Sequence, residues 1–321
     1  MAQNKSNGIS LANIIAVIGI VLLAVFIFLG YLYGGDVMGI SILKAAAWAV
    51  GFSLLLFLLI KAKTAETDTG KWKIIEGLLL VAYIVCAVLS SNRVARFATI
   101  YSTSDDLKAE ATEDIGRIRE AVALFKSNEN AALTNTVTGL ELAALGESTP
   151  ELLDFADQNG FELNSQSISN FKAKWQDRIE NVTDNEQNSY SDAWEDALTR
   201  NGDLIQSWSV MKIPEAANAM KDFAPQVTAK LEEISATLPF PVIYKNEEDI
   251  SEINKPHEAG QYPIEATFAD TFFNKSSYSV VGIILCVVLH AMVLFNYLIA
   301  YRTKRRRPQK NVYVNDGGMS I

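Results

Sequence analysis

Four apolar runs, at about residues 11–33, 38–60, 74–91 and 278–301, bracket a polar stretch of some 180 residues. Each run is close to the ~20 residues that a helix needs to cross a hydrocarbon core. Few architectures satisfy such a chain. The expected fold is an all-α membrane protein: four transmembrane helices, with one mainly helical extracytoplasmic domain inserted between the third and the fourth. The first run is longer than a signal-peptide core and lacks a small-x-small cleavage motif before Tyr31, so it reads as a retained anchor.

The charge divides with the hydropathy. Residues 97–277 carry 32 acidic and 14 basic side chains, net −18, whereas the remainder carries 5 acidic and 14 basic, net +9. A domain this acidic repels nucleic acid and anionic lipid, so nucleic-acid binding is not expected. Cationic partners or divalent ions suit it better. The two cysteines, Cys86 and Cys286, both lie in apolar runs, so the insert is expected to rest on packing rather than disulfides.

Orientation follows from lysine and arginine near the span ends. One side holds Lys5, Lys61, Lys63, Lys71, Lys73 and a tail with Arg302, Lys304, Arg305, Arg306, Arg307 and Lys310; the other holds Arg93, Arg96 and Lys275. Eleven cations against three place both termini in the cytoplasm and the acidic domain outside it, in the plasma (inner) membrane. The tail cations also suit lipid headgroups, and the last residues, 311–321, read as disordered. Cytoplasmic segments this short cannot fold into a kinase, cyclase or nucleotide-binding domain. Any signal would have to pass to another protein.

Polar groups inside the spans are costly in hydrocarbon and therefore informative. Glu76 sits near Lys71 and Lys73, where snorkelling or pairing with a lysine accounts for it. Lys44 lies near the outer end of the second span and can reach the interface. His290 falls near the middle of the fourth span, four residues after Cys286. Cys86 is the one further ligand within its reach for a metal, and a hydrogen-bonded structural histidine is the plainer reading. Ala45 with Ala49, and Ala47 with Gly51, form small-residue spacings suited to close helix packing.

In the insert, helical periodicity dominates. One stripe runs through Leu107, Ala111, Ile115, Ile118, Val122 and Phe125, and a second through Ile168, Phe171, Trp175, Ile179 and Val182. A third runs through Tyr190, Trp194 and Leu198, and a fourth through Ala217, Met220, Phe223, Val227, Leu231, Ile234 and Leu238. Pro214 suits a helix start, and Pro225 is expected to kink or split the last helix. Shorter helices are expected near 131–145 and 150–158. Thr103 and Ser104 before Asp105 and Asp106 read as a fresh N-cap, or the third span runs on through them. From 239 to 273, four prolines and an acidic cluster argue against helix and leave a short strand at 242–244 or a plain connector.

One constellation has metal-ligand spacing. Asp184, Glu186, Asn188, Tyr190, Asp192 and Glu195 occupy positions 1, 3, 5, 7, 9 and 12 of a twelve-residue calcium loop. Ser189 stands where the sharp turn needs glycine, and Tyr190, Trp194 and Leu198 already read as one helical face. An acidic solvated helix or inter-helix loop is the alternative. Beyond calcium no cofactor is expected, and no nucleophile elbow, zinc pair or dinucleotide fingerprint is present.

The layout resembles that of tetraspanins in topology alone; the insert lacks their cysteine motif, and the first outer loop is far shorter. The function expected is a non-enzymatic membrane scaffold or accessory subunit of a cell-envelope complex, binding a protein partner or a further copy of itself. Two alternatives stand beside it. One is a sensor whose helical domain binds a small ligand or calcium; the other is a channel or transporter subunit resting on Lys44 and His290.

Overall fold

A computed structural model describes residues 11–65, 70–146, 149–245, 251–255, 259–275 and 279–300. Contacts divide the chain into two compact units, residues 103–274 and the segments flanking them.

The flanking unit is a bundle of α1 (Leu11–Leu32), α2 (Met38–Thr64), α3 (Gly70–Ser102) and α10 (Val280–Ile299). All four are long and apolar enough to cross a membrane. Leu23, Ile27, Phe52, Leu59, Tyr83, Leu289 and Val293 meet in its centre. Leu43, Leu54, Phe57, Leu78, Val88 and Val287 face outward and exposed. A helix apolar on every side is at home only where its outer face meets lipid or more protein. Three glycines set the closest approaches, and a Cβ on Gly19 of α1 would lie 2.8 Å from the Val293 backbone nitrogen of α10. A Cβ on Gly30 would lie 2.0 Å from the Arg93 carbonyl oxygen, and one on Gly282 would lie 2.9 Å from the Ala95 Cα. The small-residue seams thus join α1 and α10 to α3, and α1 to α10. In α2, Ala45 is buried, but a Cβ on Gly51 would meet nothing within 4 Å.

The other unit is built on α4 (Ser104–Ala144), a single 41-residue helix against which α5 (Pro150–Gln158), α6 (Ser165–Glu180), α7 (Ser191–Gln206), α8 (Ile213–Thr237) and α9 (Phe268–Asn274) all lie, except that α8 also packs on α7 and α9. Leu107, Ala111, Ile115, Ile118 and Phe125 are buried along it, with Leu133, Val137 and Leu140 continuing the stripe. The separate helix expected near 131–145 is therefore the second half of α4. No glycine or proline interrupts residues 117–138, and nothing forces the helix to stop. Between α3 and α4 the break is one residue, Thr103, whose side chain makes no capping bond. Asp105 and Asp106 in the first turn face the positive end of the helix dipole.

Caps define the shorter helices. The Thr149 hydroxyl accepts from the Leu152 N–H ahead of Pro150, and the Asn164 side chain accepts from the Ser167 N–H at 2.9 Å. α8 contains Pro225 and is not split by it. Pro225 lies on the exposed side, where water can satisfy the backbone carbonyl it leaves free.

The proline-rich stretch holds more order than its composition suggests. β1 (Val242–Lys245) pairs antiparallel with β2 (Ser251–Lys255), and the stretch ends in α9. That last helix corrects the expectation of no helix there. Its start is capped from another element, by Asp114 of α4, which local sequence does not reveal.

Candidate functional site

Within the bundle, each polar residue singled out from the sequence has a partner. The Lys44 ammonium lies 2.7 Å from Asp36 and 4.9 Å from the centre of the Tyr31 ring, whose other near cation is Arg93 at 4.6 Å. Trp48 donates its indole N–H to the Tyr31 hydroxyl. Glu76 is buried and accepts from the Tyr297 hydroxyl at 2.8 Å. Lys63 donates to the Tyr297 carbonyl at 2.6 Å and covers its ring. His290 shares a 3.1 Å hydrogen bond between its Nδ1 and the Tyr83 hydroxyl, and its ring packs against Phe52. Its Nε2 is buried without a partner among the described residues. Cys286 donates to the Ser91 carbonyl. Tyr83, not a cysteine, is what meets His290; a tyrosine one face away on another span carries no sequence signal of that meeting. The basic tail (Arg302, Lys304, Arg305, Arg306, Arg307 and Lys310) lies outside the described residues.

In the other unit the six residues at calcium-loop spacing divide between a turn and a helix. Asp184 is the hub of the turn. Its Oδ1 accepts from the backbone N–H groups of Glu186 and Asn188, at 2.9 and 3.0 Å. Its Oδ2 accepts from the Tyr190 hydroxyl at 2.5 Å and lies 3.9 Å from the Lys230 ammonium. The Tyr190 hydrogen bond is the main reason its carboxyl pKa falls to about 2, with the Asn188 and Glu186 donors adding to it. The positive φ of this turn falls at Gln187, 65°, and not at Ser189, where a calcium loop needs its glycine. Asp192 and Glu195 lie on α7, beyond the turn, and Glu195 is held in a bidentate pair by Arg119 of α4. Ring closure around one cation would require Glu195 to leave Arg119. Among the described residues no cluster of three or more His, Cys, Asp or Glu side chains stands ready to hold a metal.

Two features went unseen in the sequence. The first is a polar ladder that ties residues 259–271 along α4. From one end to the other, Glu110 accepts from the Thr271 hydroxyl at 2.6 Å, and Asp114 accepts from the N–H groups of Thr267 and Phe268, each at 2.8 Å. Arg117 donates to the Glu265 carbonyl, and buried Glu129 accepts from the hydroxyls of Tyr262 and Ser235 at 2.7 and 2.6 Å. Burial first, then Glu129, holds the Tyr262 phenol well above its ordinary pKa, so it stays a donor. The spacing of Asp114 and Glu129 within an amphipathic stripe was the available signal, since a carboxylate at a buried helical position needs donors from elsewhere.

The second is an open seam between α4 and α7. It holds two clefts of about 390 and 320 Å³ that share Arg119 and Leu198. Val122 and Trp194 line one, Ile115 and Ile205 the other. The Arg119–Glu195 pair spans the seam where the clefts meet, with both side chains about half exposed. Trp194 is only half-buried because it faces this seam, so the Tyr190, Trp194 and Leu198 stripe is not wholly core.

Comparison with known proteins yields no match: no family model, no curated protein and no solved structure is significantly similar to this chain.

Proposed function

We propose that this protein is a non-enzymatic membrane scaffold or accessory subunit of a cell-envelope complex. In this reading both termini are cytoplasmic, the acidic unit stands outside the inner membrane, and that unit binds a protein partner. Eleven span-flanking cations on one side against three on the other support the orientation. The side-chain pairing of Lys44, Glu76 and His290 within the bundle favours a structural role for these residues over a conduction path.

The observation that carries the binding role is the seam between α4 and α7. It runs the length of α7, presents half-buried Val122 and Trp194, and is bridged by the exposed Arg119–Glu195 pair and by bonds from Lys126 to Ser191 and from Gln206 to Thr112. Helical domains commonly receive partners in grooves of this kind. Mild solubilisation from native membranes, followed by size-exclusion chromatography and mass spectrometry, tests the proposal. A stoichiometric partner or a defined homo-oligomer is expected; a lone monomer in every gentle detergent and nanodisc would refute it. Topology is checked separately by labelling an engineered cysteine at exposed Thr199 with an impermeant thiol reagent in spheroplasts, where reaction before lysis is expected.

A further inference from the structure

We infer that the end of the bundle where α1 turns into α2 binds the phosphate of an anionic phospholipid headgroup, through Arg93 with Tyr31 and Lys44. All three residues belong to the flanking unit, and the site stands whether or not the protein has a protein partner.

Donors without acceptors select the ligand. The Arg93 guanidinium lies 4.6 Å from the centre of the Tyr31 ring and makes no hydrogen bond or ion pair among the described residues. The Tyr31 hydroxyl accepts from the Trp48 indole N–H, and its own proton has no acceptor among them. Lys44 lies 4.9 Å from the same ring centre and gives one of its three N–H groups to Asp36. Arg96, one turn on from Arg93 in α3, adds a further positive charge. Three cations are thus set against one carboxylate, and that carboxylate is taken by Lys44. Groups that only donate call for a ligand that only accepts and carries negative charge. Phosphate meets both conditions, and a guanidinium can hold two of its oxygens at once.

Position selects a lipid as the source. α1 ends one residue after Tyr31, and the apolar run of α3 ends two residues before Arg93. Gly282, the third residue of α10, packs on Ala95, two residues beyond Arg93. Three spans therefore reach their ends near the level of Arg93, where headgroup phosphates lie. Tyr31 and Trp48 are the aromatic types that favour this level. Four and eight residues before Arg93, on the same face of α3, Leu89 and Val85 are 62% and 52% exposed. They form an apolar track for an acyl chain of the molecule whose phosphate Arg93 holds, and a soluble phosphate gains nothing from it. The Arg93 backbone is fixed in advance, because its carbonyl packs directly on Gly30. A zwitterionic headgroup would bring a cation of its own into a corner already rich in them, so the anionic headgroup is favoured.

Native mass spectrometry of the full-length protein in detergent, titrated with short-chain phosphatidylglycerol, tests the site. The binding curve should contain a step that weakens about tenfold in Arg93→Gln/Lys44→Gln. Arg93→Lys keeps the charge but not the paired geometry, and should lie between the two. The tail cations are present in every variant, so a step lost here belongs to this corner. Lys172→Gln/Lys174→Gln, which removes two exposed cations from the other unit, should leave the curve unchanged. Phosphatidylcholine of the same chain length should not fill the step, and inorganic phosphate at equal concentration should not displace the lipid from it. A curve that ignores Arg93→Gln/Lys44→Gln, or equal uptake of phosphatidylcholine, overturns the assignment. Displacement by inorganic phosphate removes the lipid and leaves a site for soluble phosphate. Loss of the step that melting curves trace to unfolding, with no intermediate affinity in Arg93→Lys, also overturns it.

Discussion

Helix α4 presents two differently charged sides: at 3.6 residues per turn, Asp114 lies roughly 140° and Glu129 roughly 80° around the helix from Arg119. Toward residues 259–271 it offers Asp114 and Glu129, both about 1% exposed and both surrounded by donors. Toward α7 it offers Arg119, exposed and paired with an exposed Glu195. The same residue classes serve opposite ends on the two faces. A buried carboxylate must be matched by donors, and once matched it fixes the segment that brings them. An exposed ion pair is nearly free to exchange its partner, because water and salt already screen it. One face of α4 is thus held by buried carboxylates and the other by bonds that water can reach.

The sharpest way to break this comparison is at Glu129. Glu129→Leu leaves the Tyr262 and Ser235 hydroxyls buried without their acceptor, and a loss of about 3–5 kcal/mol is expected in denaturant unfolding of the full chain. Glu129→Gln keeps an oxygen for at least one of them and should cost markedly less. Equal losses from both substitutions would show that side-chain volume, not acceptor chemistry, is what matters there.

Asp114 sharpens the same point with a smaller effect. Asp114→Ala strands the N–H groups of Thr267 and Phe268 at the start of α9, for an expected cost of roughly 1–3 kcal/mol. Asp114→Asn retains an acceptor and should be tolerated. Burial raises the Asp114 carboxyl pKa, against the pull of the Phe268 and Thr267 N–H groups and Arg117. The folded state therefore holds this proton more tightly than the unfolded chain, and the residue's contribution to stability declines as pH rises from about 4. Asp114→Asn should flatten that decline in melts taken between pH 4 and 7; an unchanged slope would assign it to other groups.

Asp184 has the opposite sign. Its folded pKa of about 2 lies below the ordinary carboxylate value, chiefly through the Tyr190 hydroxyl. Stability from this turn is fully present above an unfolded pKa near 3.9 and is lost as pH falls through about 2. Asp184→Asn should remove that acid-dependent loss. Tyr190→Phe should remove most of it, since its hydroxyl contributes most to the shift. Midpoints compared at pH 5, 4, 3 and 2 read this directly.

The apolar helices were legible from sequence because a run of about twenty uninterrupted apolar residues has few other fates. The helical character of the insert was legible through the stripe from Leu107 to Phe125, now found buried except for half-buried Val122. Less local features were hidden. Whether residues 131–144 begin a new helix depends on the absence of a stop signal, which is weaker information than the presence of one. The helix at Phe268–Asn274 depends on Asp114, more than 150 residues earlier. The seam was invisible for a related reason: Trp194 and Leu198 show the same periodicity whether α7 packs tightly or stands off from α4. The calcium-loop spacing matched in sequence, but spacing alone does not reveal that Glu195 has an arginine from α4 at its carboxylate.

The smallest expected effect bears most directly on the side of α4 that meets α7. A double-mutant cycle on Arg119→Ala and Glu195→Ala should give a coupling of only about 0.2–1 kcal/mol in stability, with each single change within roughly 0.5 kcal/mol of the parent. A strong stability coupling would mean that Arg119 and Glu195 hold α7 in place much as Asp114 holds α9. The two faces of α4 would then be alike, and the seam would be a packing joint rather than an open surface.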